Sequence, residues 1–511
     1  MPTTEPRKIY GPPGTGKTRE LTALLCRAAA SFGPDRVAGL TYTRAAAAEL
    51  QERVAQALGQ RLPDDPWRRR SALRAWMPWV GTIHSLAYRL IGRCAVVGPR
   101  DIAAFVKSRG GQACADFPEP DDIESYAWLE PGKDEVEQAL ALYSMARHRM
   151  QPLERVYQAM PWGPEGPQVT PERAEKLAAE YEDFKRAQNK IDFEDMLEMG
   201  ASEHLPVDAV LADEVQDNSP LLWKCLDGWA EGALYAMAGD PYQAIYIFSG
   251  AEPRLFIDHP GKLISLGDSK RLNAPSADRA QAVLRAAGFA DREWLGSWTG
   301  VADGLPRDGT AFWLARTGRL LGEVTRSLED DGIPFGYLRG HGPLEGKAAR
   351  AYRVLAGLRR SGAAPVSAIN ALATELKPGW LPHGEKARLA HLARTDPDMS
   401  WDEITLERAW GTPISDLHHG LSHGLYFEKI MRRSGIEAFY GRPKTLVGTI
   451  HSAKGREADT VHLVESWGSL PYRAIYNGQA EAEACVAYVG LTRHRSQLIL
   501  EPASEGTPYP F

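Results

Sequence analysis

Cysteine is scarce in this 511-residue chain, and its placement argues against two kinds of protein. No two cysteines form a Cys-x-x-Cys pair. The five lie far apart, at Cys26, Cys94, Cys114, Cys225 and Cys485. Such scattering argues against a disulfide framework and against a structural zinc site. We therefore expect a cytoplasmic protein, since the cytoplasm keeps thiols reduced.

Long apolar runs and a net positive charge are also missing. No apolar stretch is long enough to span a bilayer, and the first ten residues lack the apolar core of a signal peptide. The 60 Lys and Arg residues are outnumbered by 66 Asp and Glu residues, which gives a net charge of −6. This balance argues against a protein that coats nucleic acid by its overall charge. It does not exclude a nucleic-acid groove with a local positive charge. The stretch WRRRSALRAW at residues 67–76 is basic, and it is either a solvated helix face or a DNA contact.

A phosphate-binding loop is present near the start of the chain. The stretch GPPGTGKT at residues 11–18 fits the pattern G-x-x-x-x-G-K-[ST]. It follows a predicted strand and opens a helical run, which is the context that the pattern requires. In such loops backbone N–H groups surround phosphate oxygens, the lysine reaches the β and γ phosphates, and the last hydroxyl ligates Mg²⁺. We therefore predict that ATP and Mg²⁺ bind at Gly11, Pro12, Pro13, Gly14, Thr15, Gly16, Lys17 and Thr18.

A pair of carboxylates marks a second chemical site. Asp213 and Glu214 come directly after the apolar run AVLA, in the stretch DEVQD. In parallel α/β sheets, ligands bind at the carboxyl ends of the strands. We predict that Asp213 holds Mg²⁺, directly or through water, and that Glu214 polarises the water that attacks the γ-phosphate. A solvated acidic turn is the structural alternative, and the phosphate-binding loop in the same chain weakens it.

Strand-like apolar runs alternate with helical patterns in both halves of the chain, which predicts an α/β protein. The predicted strands are residues 7–10, 37–42, 80–83, 209–212, 233–239 and 262–266, followed by 310–315, 334–338, 445–450, 460–464 and 497–500. Residues 95–190 are mostly helical, and 340–440 are helical and poorly patterned. The simplest interpretation is two α/β cores, each interrupted by a mainly helical insertion.

The stretch DEVQD at 213–217 resembles motif II of the UvrD/PcrA/Rep group of superfamily 1 DNA helicases. Further stretches resemble other motifs of this group in the same order: LTYTRAAAAEL (40–50, motif Ia), GTIHSLAYRL (81–90, motif Ic), AGDPYQAIYIFSGAEP (238–253, motif III), DSKRLNAP (268–275, motif IV), GTIHSAKGREADTVHL (448–463, motif V) and AYVGLTRHRSQLIL (487–500, motif VI). The stretch IDFEDML (191–197) resembles the segment that precedes motif II. The resemblance covers both cores and leaves the insertions unmatched. It implies two RecA-like parallel-sheet cores, with the following parts: core 1A at 1–95 and 186–265, helical insertion 1B at 96–185, core 2A at 266–345 and 441–511, and a small insertion 2B at 346–440.

The resemblance also implies roles at the phosphate end of ATP. Gln243 in motif III would contact the γ-phosphate and report its hydrolysis. Arg271 and Arg493, in motifs IV and VI, would act as arginine fingers on the same phosphate. An arginine finger can raise the rate of hydrolysis by ~10³–10⁵. Glu457 in motif V would touch the ribose.

The base end of the predicted ATP site departs from the family pattern. Lys270 stands where motif IV usually has a stacking aromatic residue, and only ten residues precede Gly11, where the family has a segment that reads adenine. Arg19 and the aliphatic stem of Lys270 could still lie flat against a purine base. Contacts of that kind discriminate weakly, so we expect loose base selectivity.

Aromatic and polar residues of the motifs predict a path for single-stranded DNA. Tyr246 and Phe248 follow Gln243, and in an extended segment both rings would share one face and stack on bases. The other predicted DNA contacts are Tyr42, Thr43, His84 and His451. For each aromatic ring or histidine taken alone, a structural role in the core is the alternative.

Together the motifs predict an ATP-dependent DNA helicase or translocase of bacterial, archaeal or phage origin. It would move 3′→5′ on single-stranded DNA and unwind duplexes with a 3′ tail, in a setting such as repair or replication. The alternative is a DNA-stimulated ATPase motor or sensor in a larger complex, for example in phage defence, with little unwinding by itself. A remodeller of proteins that needs no nucleic acid is a rival, and the motif III aromatics argue against it. A protein partner is compatible with the sequence, whereas a membrane is not expected.

Overall fold

The computed structural model describes residues 5–41, 43–92, 94–111, 134–160, 162, 166–247, 250–289, 298–302, 308–468, 471, 475, 480–502 and 509. The chain divides into two compact units, Met1–Lys270 with Gly296–Thr299, and Arg271–Leu295 with Gly300–Phe511. Within those described ranges, no helix is long and apolar enough to cross a membrane.

The first unit is built on a six-stranded parallel sheet in the order β3-β2-β4-β5-β1-β6. Strands β2 and β4 are buried along their whole length, as is typical of the near-continuous apolar strands of parallel sheets. The strands are β1 (Arg7–Tyr10), β2 (Val37–Leu40), β3 (Val80–Gly81), β4 (Ala209–Ala212), β5 (Leu234–Gly239) and β6 (Lys262–Ser265). Two further short strands, β7 (Asp268–Ser269) and β8 (Thr299–Gly300), lie where the chain changes unit.

Helices connect these strands, and several begin at a residue that caps the first turn. The Oγ1 atoms of Thr43 and Thr82 accept backbone N–H groups at 3.1 and 3.3 Å, and Ser219 caps its helix in the same way. The helices are α1 (Lys17–Phe32), α2 (Arg44–Ala57), α3 (Pro66–Trp76), α4 (Ile83–Leu90), α5 (Pro99–Ser108), α6 (Glu135–Arg149), α7 (Leu153–Ala159), α8 (Pro171–Ala187), α9 (Phe193–Gly200), α10 (Pro220–Ala230) and α11 (Pro253–Asp258).

Two separate apolar cores stabilise the first unit. One joins the sheet to its flanking helices, with Ile9 and Leu211 from strands and Leu25 and Val54 from helices. The other lies among helices α5 to α8 of the insertion and includes Phe105. The insertion therefore has a core of its own beside that of the sheet.

The second unit contains a five-stranded parallel sheet in the order β10-β13-β9-β14-β15. Its strands are β9 (Ala311–Ala315), β10 (Phe335–Tyr337), β13 (Thr445–Thr449), β14 (Ala458–Val464) and β15 (His494–Glu501). Its helices are α12 (Ala274–Leu284), α13 (Gly318–Asp330), α14 (Lys347–Ser361), α15 (Val366–Glu375), α16 (Glu385–Thr395), α17 (Glu403–Trp410), α18 (Gly424–Ser434) and α19 (Ala480–Leu491). A short antiparallel pair, β11 (Ala363–Pro365) and β12 (Ser400–Asp402), lies within the insertion.

An apolar core joins the sheet of the second unit to the insertion. It includes Phe335 and Val447 of the sheet together with Leu355, Ile369 and Phe427 of the insertion. The segment 346–440 therefore packs on the sheet, and its independence as a subdomain stays a prediction.

The predicted α/β class with two parallel sheets is confirmed. Most predicted strands occur within a residue or two of their predicted bounds. The predicted strand at 80–83 is wrong at its end, because Thr82 caps α4 and Ile83 is already helical. The β11–β12 pair was not predicted, since Ala and Pro at 363–365 carry no strand signal.

Candidate nucleotide-binding site

The loop between β1 and α1 has the backbone that a phosphate-binding loop needs. Gly14 and Gly16 have φ values of 77° and 93°, a left-handed region that favours glycine. At Gly11 a Cβ atom would lie 2.3 Å from Thr15 Oγ1, so that only glycine fits. The loop also includes the buried Pro12 and Pro13. Arg19 follows on the first turn of α1 and is exposed.

The Lys17 side chain folds back over this loop. It is 7% exposed, and its Nζ donates to the carbonyl oxygens of Gly11 at 2.6 Å and Pro12 at 3.4 Å. Thr15 Oγ1 donates to the same Pro12 oxygen at 2.8 Å. The ammonium is thereby held against the loop, where phosphate oxygens are stronger partners for it than carbonyls.

The predicted metal ligands lie side by side. Thr18 Oγ1 donates to Asp213 Oδ2 at 2.8 Å, and the Asp213 N–H donates to the Leu40 carbonyl at 2.8 Å. Burial, and then the charge of Glu214, raise the pKa of Asp213 to about 6, while Thr18 and Lys17 act in the opposite direction. A hydroxyl and a carboxylate are the oxygen ligands that Mg²⁺ takes beside phosphate, so these residues fit that ion.

Glu214 occupies an unusual backbone position. Its φ and ψ are 55° and 36°, a left-handed conformation that costs a residue with a side chain about 1–2 kcal/mol. Gln216 Nε2 donates to Glu214 Oε2 at 2.5 Å, and Gln216 Oε1 accepts the Asp240 N–H at 3.0 Å. The carboxylate is therefore held by a side chain that is itself fixed to the end of β5.

Gln243 is attached to the same strand end. Its Nε2 donates to Asp240 Oδ2 at 2.8 Å, and Asp240 is fully buried. A continuous set of hydrogen bonds thus joins Glu214 to Gln243 through Gln216 and Asp240. Gln216 and Asp240 are not among the predicted site residues, although both lie within the stretches that resemble motifs II and III.

The start of motif IV is hydrogen-bonded to the phosphate-binding loop. Ser269 Oγ donates to the Pro13 carbonyl at 2.6 Å, and the Lys270 N–H donates to the Gly14 carbonyl at 3.0 Å. The sequence carries no signal for this link, because a backbone carbonyl accepts a hydrogen bond whatever its residue type.

Three predicted nucleotide contacts lie in the second unit. Arg271 Nε and Glu457 Oε2 form an ion pair at 2.6 Å, which brings motifs IV and V together. Arg493 is 2% exposed, and it donates to the Val489 carbonyl and to Thr492 Oγ1, each at 3.0 Å. Their roles on the nucleotide stay predictions.

The predicted DNA contacts occupy varied environments. Thr43 caps α2, and His451 is partly buried in a short turn that follows β13. Tyr246 is 5% exposed and follows the turn Pro241–Gln243 without belonging to a strand or helix, and the shared face of Tyr246 and Phe248 stays a prediction. Tyr42 and Phe248 lie outside the described residues.

His84 is a buried ring next to motif II. It is 7% exposed, and its ring lies edge-on to that of Phe193 at 6.0 Å. Burial, followed by the nearby His148, lowers the pKa of His84 to about 3. The ring is therefore neutral at pH 7 and carries no charge for a phosphate. A contact between His84 and DNA stays a prediction.

A pocket beside Asp213 connects three motifs. Its lining includes Thr41 of motif Ia, Thr82 and His84 of motif Ic, and Asp213 and Asn218 at motif II. These residues follow the carboxyl ends of the neighbouring strands β2, β3 and β4. The predicted metal ligand is thus next to segments that the sequence assigned to DNA.

These features define a P-loop nucleotide-binding unit with an acidic site at the ends of parallel strands. Residues 1–262 match the model of the UvrD/REP helicase N-terminal domain, and residues 431–505 match that of the UvrD-like helicase C-terminal domain. A comparison with curated proteins gives no match. Because the first match covers half of the chain, the chain belongs to the UvrD/REP helicase family. It is accordingly an ATP-dependent DNA helicase in the general sense of that family.

Proposed function

We propose that this protein is a motor that hydrolyses ATP with Mg²⁺, moves 3′→5′ on single-stranded DNA and unwinds duplexes with a 3′ tail. The family match supports the motor, and the DEVQD form of motif II, which resembles the 3′→5′ group, supports the polarity. The observation that carries the proposal is the set of hydrogen bonds from Glu214 to Gln243.

The chain's own groups suit hydrolysis at the phosphate end. Lys17 and the loop N–H groups hold the phosphates, and Glu214 accepts a proton from the attacking water. When bound at Thr18 and Asp213, Mg²⁺ neutralises charge on the β and γ phosphates. Gln216 fixes the orientation of the Glu214 carboxylate.

The same groups provide a route from hydrolysis to DNA. Gln243 shares Asp240 with Gln216, and Tyr246 follows three residues later. A change at the γ-phosphate that moves Gln243 is therefore passed to the segment that the sequence assigns to DNA. This local coupling is the property that separates a motor from a simple ATPase.

The test combines ATP hydrolysis with strand separation. We expect single-stranded DNA to stimulate hydrolysis, and a duplex with a 3′ tail to be unwound while one with a 5′ tail is not. Unwinding only from 5′ tails would refute the polarity. Stimulated hydrolysis without any unwinding would instead favour the DNA-stimulated sensor, and full hydrolysis without DNA would favour a remodeller of proteins.

A further inference from the structure

An exposed basic and aromatic surface lies apart from the nucleotide-binding residues. We define the α3 patch as Trp67, Arg70 and Arg74 of helix α3 together with Arg89 of helix α4. In α3 these residues stand at i, i+3 and i+7, which places them on one face. The three α3 residues are exposed, Trp67 to 78%, and Arg89 is exposed in part.

The α3 patch carries positive charge without local compensation. Six arginines and two aspartates lie between residues 61 and 89, in a chain whose net charge is −6. Of the neighbouring charges, Arg69 pairs with Glu52 at 3.4 Å, and Asp65 caps α3 by accepting the Arg68 N–H. Within the part of the chain that the structure describes, Arg70, Arg74 and Arg89 pair with no carboxylate. Repulsion between these like charges is relieved by an anionic partner.

Charges on the two helices of the α3 patch lie close enough to affect each other. Partial burial, and then the charge of Arg74, lower the pKa of Arg89. The Arg89 guanidinium carbon lies 5.8 Å from the centre of the Trp79 ring. A surface of this kind suits a nucleic acid strand, because arginines bind its phosphates and aromatic rings stack on its bases.

The α3 patch is also held close to the segments that the motifs assign to DNA. Helix α3 precedes and α4 follows β3, the end strand of the six-stranded sheet. Gln51 Nε2 of α2 donates to the Met77 carbonyl at 3.1 Å, which fixes the end of α3. Helix α2 is capped by Thr43 of motif Ia, and α4 by Thr82 of motif Ic. The patch therefore stands on rigid elements that also carry those two motifs.

We propose that the α3 patch binds single-stranded nucleic acid, with Arg70 and Arg74 on phosphates and Trp67 stacked on an unpaired base. Single-stranded rather than duplex nucleic acid is favoured because the bases of a duplex are already stacked on one another and offer no free face to a protruding ring. The inference rests on the proposed function, since it gives the motor a second contact with its strand.

The test compares a triple change in the α3 patch with a double change of exposed cations elsewhere. The patch variant is Trp67→Ala, Arg70→Ala and Arg74→Ala, and the control is Lys224→Ala with Arg254→Ala, two exposed cations of α10 and α11. Binding of a fluorescent single-stranded oligonucleotide is measured over a range of salt concentrations, together with the melting temperature and ATP hydrolysis without DNA. A third variant, Arg70→Lys with Arg74→Lys, keeps the charge.

We expect the patch variant to bind DNA at least ~5-fold more weakly, as the loss of one stacked base implies. Its plot of log K against log salt should be shallower by ~1.4, for two lost phosphate contacts on a single strand. The control and the lysine variant should keep a slope close to that of the unchanged protein, and hydrolysis without DNA should be equal in all four.

Affinity and slope equal to those of the control would overturn the inference and leave the patch to an acidic protein partner. That result differs from failure of the proposed function, in which the unchanged protein itself fails to bind single-stranded DNA. If the patch variant melts at a lower temperature, the DNA affinities of the lysine variant and of the single change Trp67→Ala decide whether the patch binds the strand.

Discussion

Gln216 connects Glu214 to Asp240, with its amide nitrogen 2.5 Å from Glu214 Oε2 and its amide oxygen 3.0 Å from the Asp240 nitrogen. Gln216 is fully buried, and an atom added at the neighbouring Gly239 would lie 2.7 Å from its Oε1. The amide therefore has little freedom to rotate. Glu214 has a strained backbone, and Gln216 is a fixed hydrogen-bond donor that orients its carboxylate.

Replacing Gln216 with Ala should slow ATP hydrolysis while leaving ATP binding nearly unchanged. The change removes the donor that orients Glu214 and leaves the buried Asp240 N–H without its acceptor. We expect kcat to fall about 10- to 100-fold, which is less than the ~10²–10⁴-fold that a general base contributes in full, because the base is displaced and not removed. Steady-state kinetics with DNA, and direct measurement of ATP affinity, provide the test. The exposed Gln60→Ala serves as control, and an unchanged kcat in Gln216→Ala would show that Gln216 does not position Glu214.

Lys17 and Glu214 should fail in different ways. Lys17→Ala removes the ammonium held on the loop, so both nucleotide binding and hydrolysis should be lost. Glu214→Gln keeps the shape and removes the base, so ATP should still bind while hydrolysis slows at least ~10²-fold. Equilibrium binding of a fluorescent ATP analogue separates the two effects. Near-normal turnover in Glu214→Gln would refute its role as the base.

Lys185 should matter for stability rather than for hydrolysis. Its Nζ lies 2.6 Å from Glu182 Oε1, 2.6 Å from Asp192 Oδ2 and 2.7 Å from Asp195 Oδ2, and the side chain is 2% exposed. The three carboxylates lie close enough together to hold a metal ion, but they surround the Lys185 ammonium instead, with Arg147 beside them. Lys185→Met should lower the free energy of unfolding by about 3–5 kcal/mol, since it leaves buried charges unpaired.

Chemical denaturation at pH 7 measures this effect. Lys176→Met, on an exposed position of the same helix, is the matched control and should change the free energy of unfolding by less than about 0.5 kcal/mol. Equal destabilisation by the two changes would mean that the carboxylates around Lys185 do not need it.

Local patterns predicted much of the fold and of the phosphate end. The loop at 11–18 and the carboxylates at 213–214 each follow a short strand, and parallel strands bring their carboxyl ends to one edge. Links between residues distant in sequence carried no such signal. Gln216 and Asp240 are 24 residues apart, and Arg147 and Asp192 are 45 residues apart. Tyr246 shows the same limit, because its environment is set by packing and not by its spacing from Gln243.

His84 should make stability depend on pH. Its pKa is lowered to about 3 in the folded protein, chiefly by burial, whereas an exposed histidine titrates near 6.5. Between those values the unfolded chain binds a proton that the folded protein does not, so the free energy of unfolding falls as the pH drops below 6.5. From pH 7 to pH 5 this one residue should account for ~2 kcal/mol. His494, whose pKa is lowered to about 4, adds a loss of the same sign.

Urea denaturation at both pH values should therefore show a smaller pH-dependent loss in His84→Gln than in the unchanged protein. The exposed His391→Gln should behave as the unchanged protein does. If His84→Gln loses as much free energy of unfolding on acidification as His391→Gln, the His84 ring is not held neutral by its surroundings.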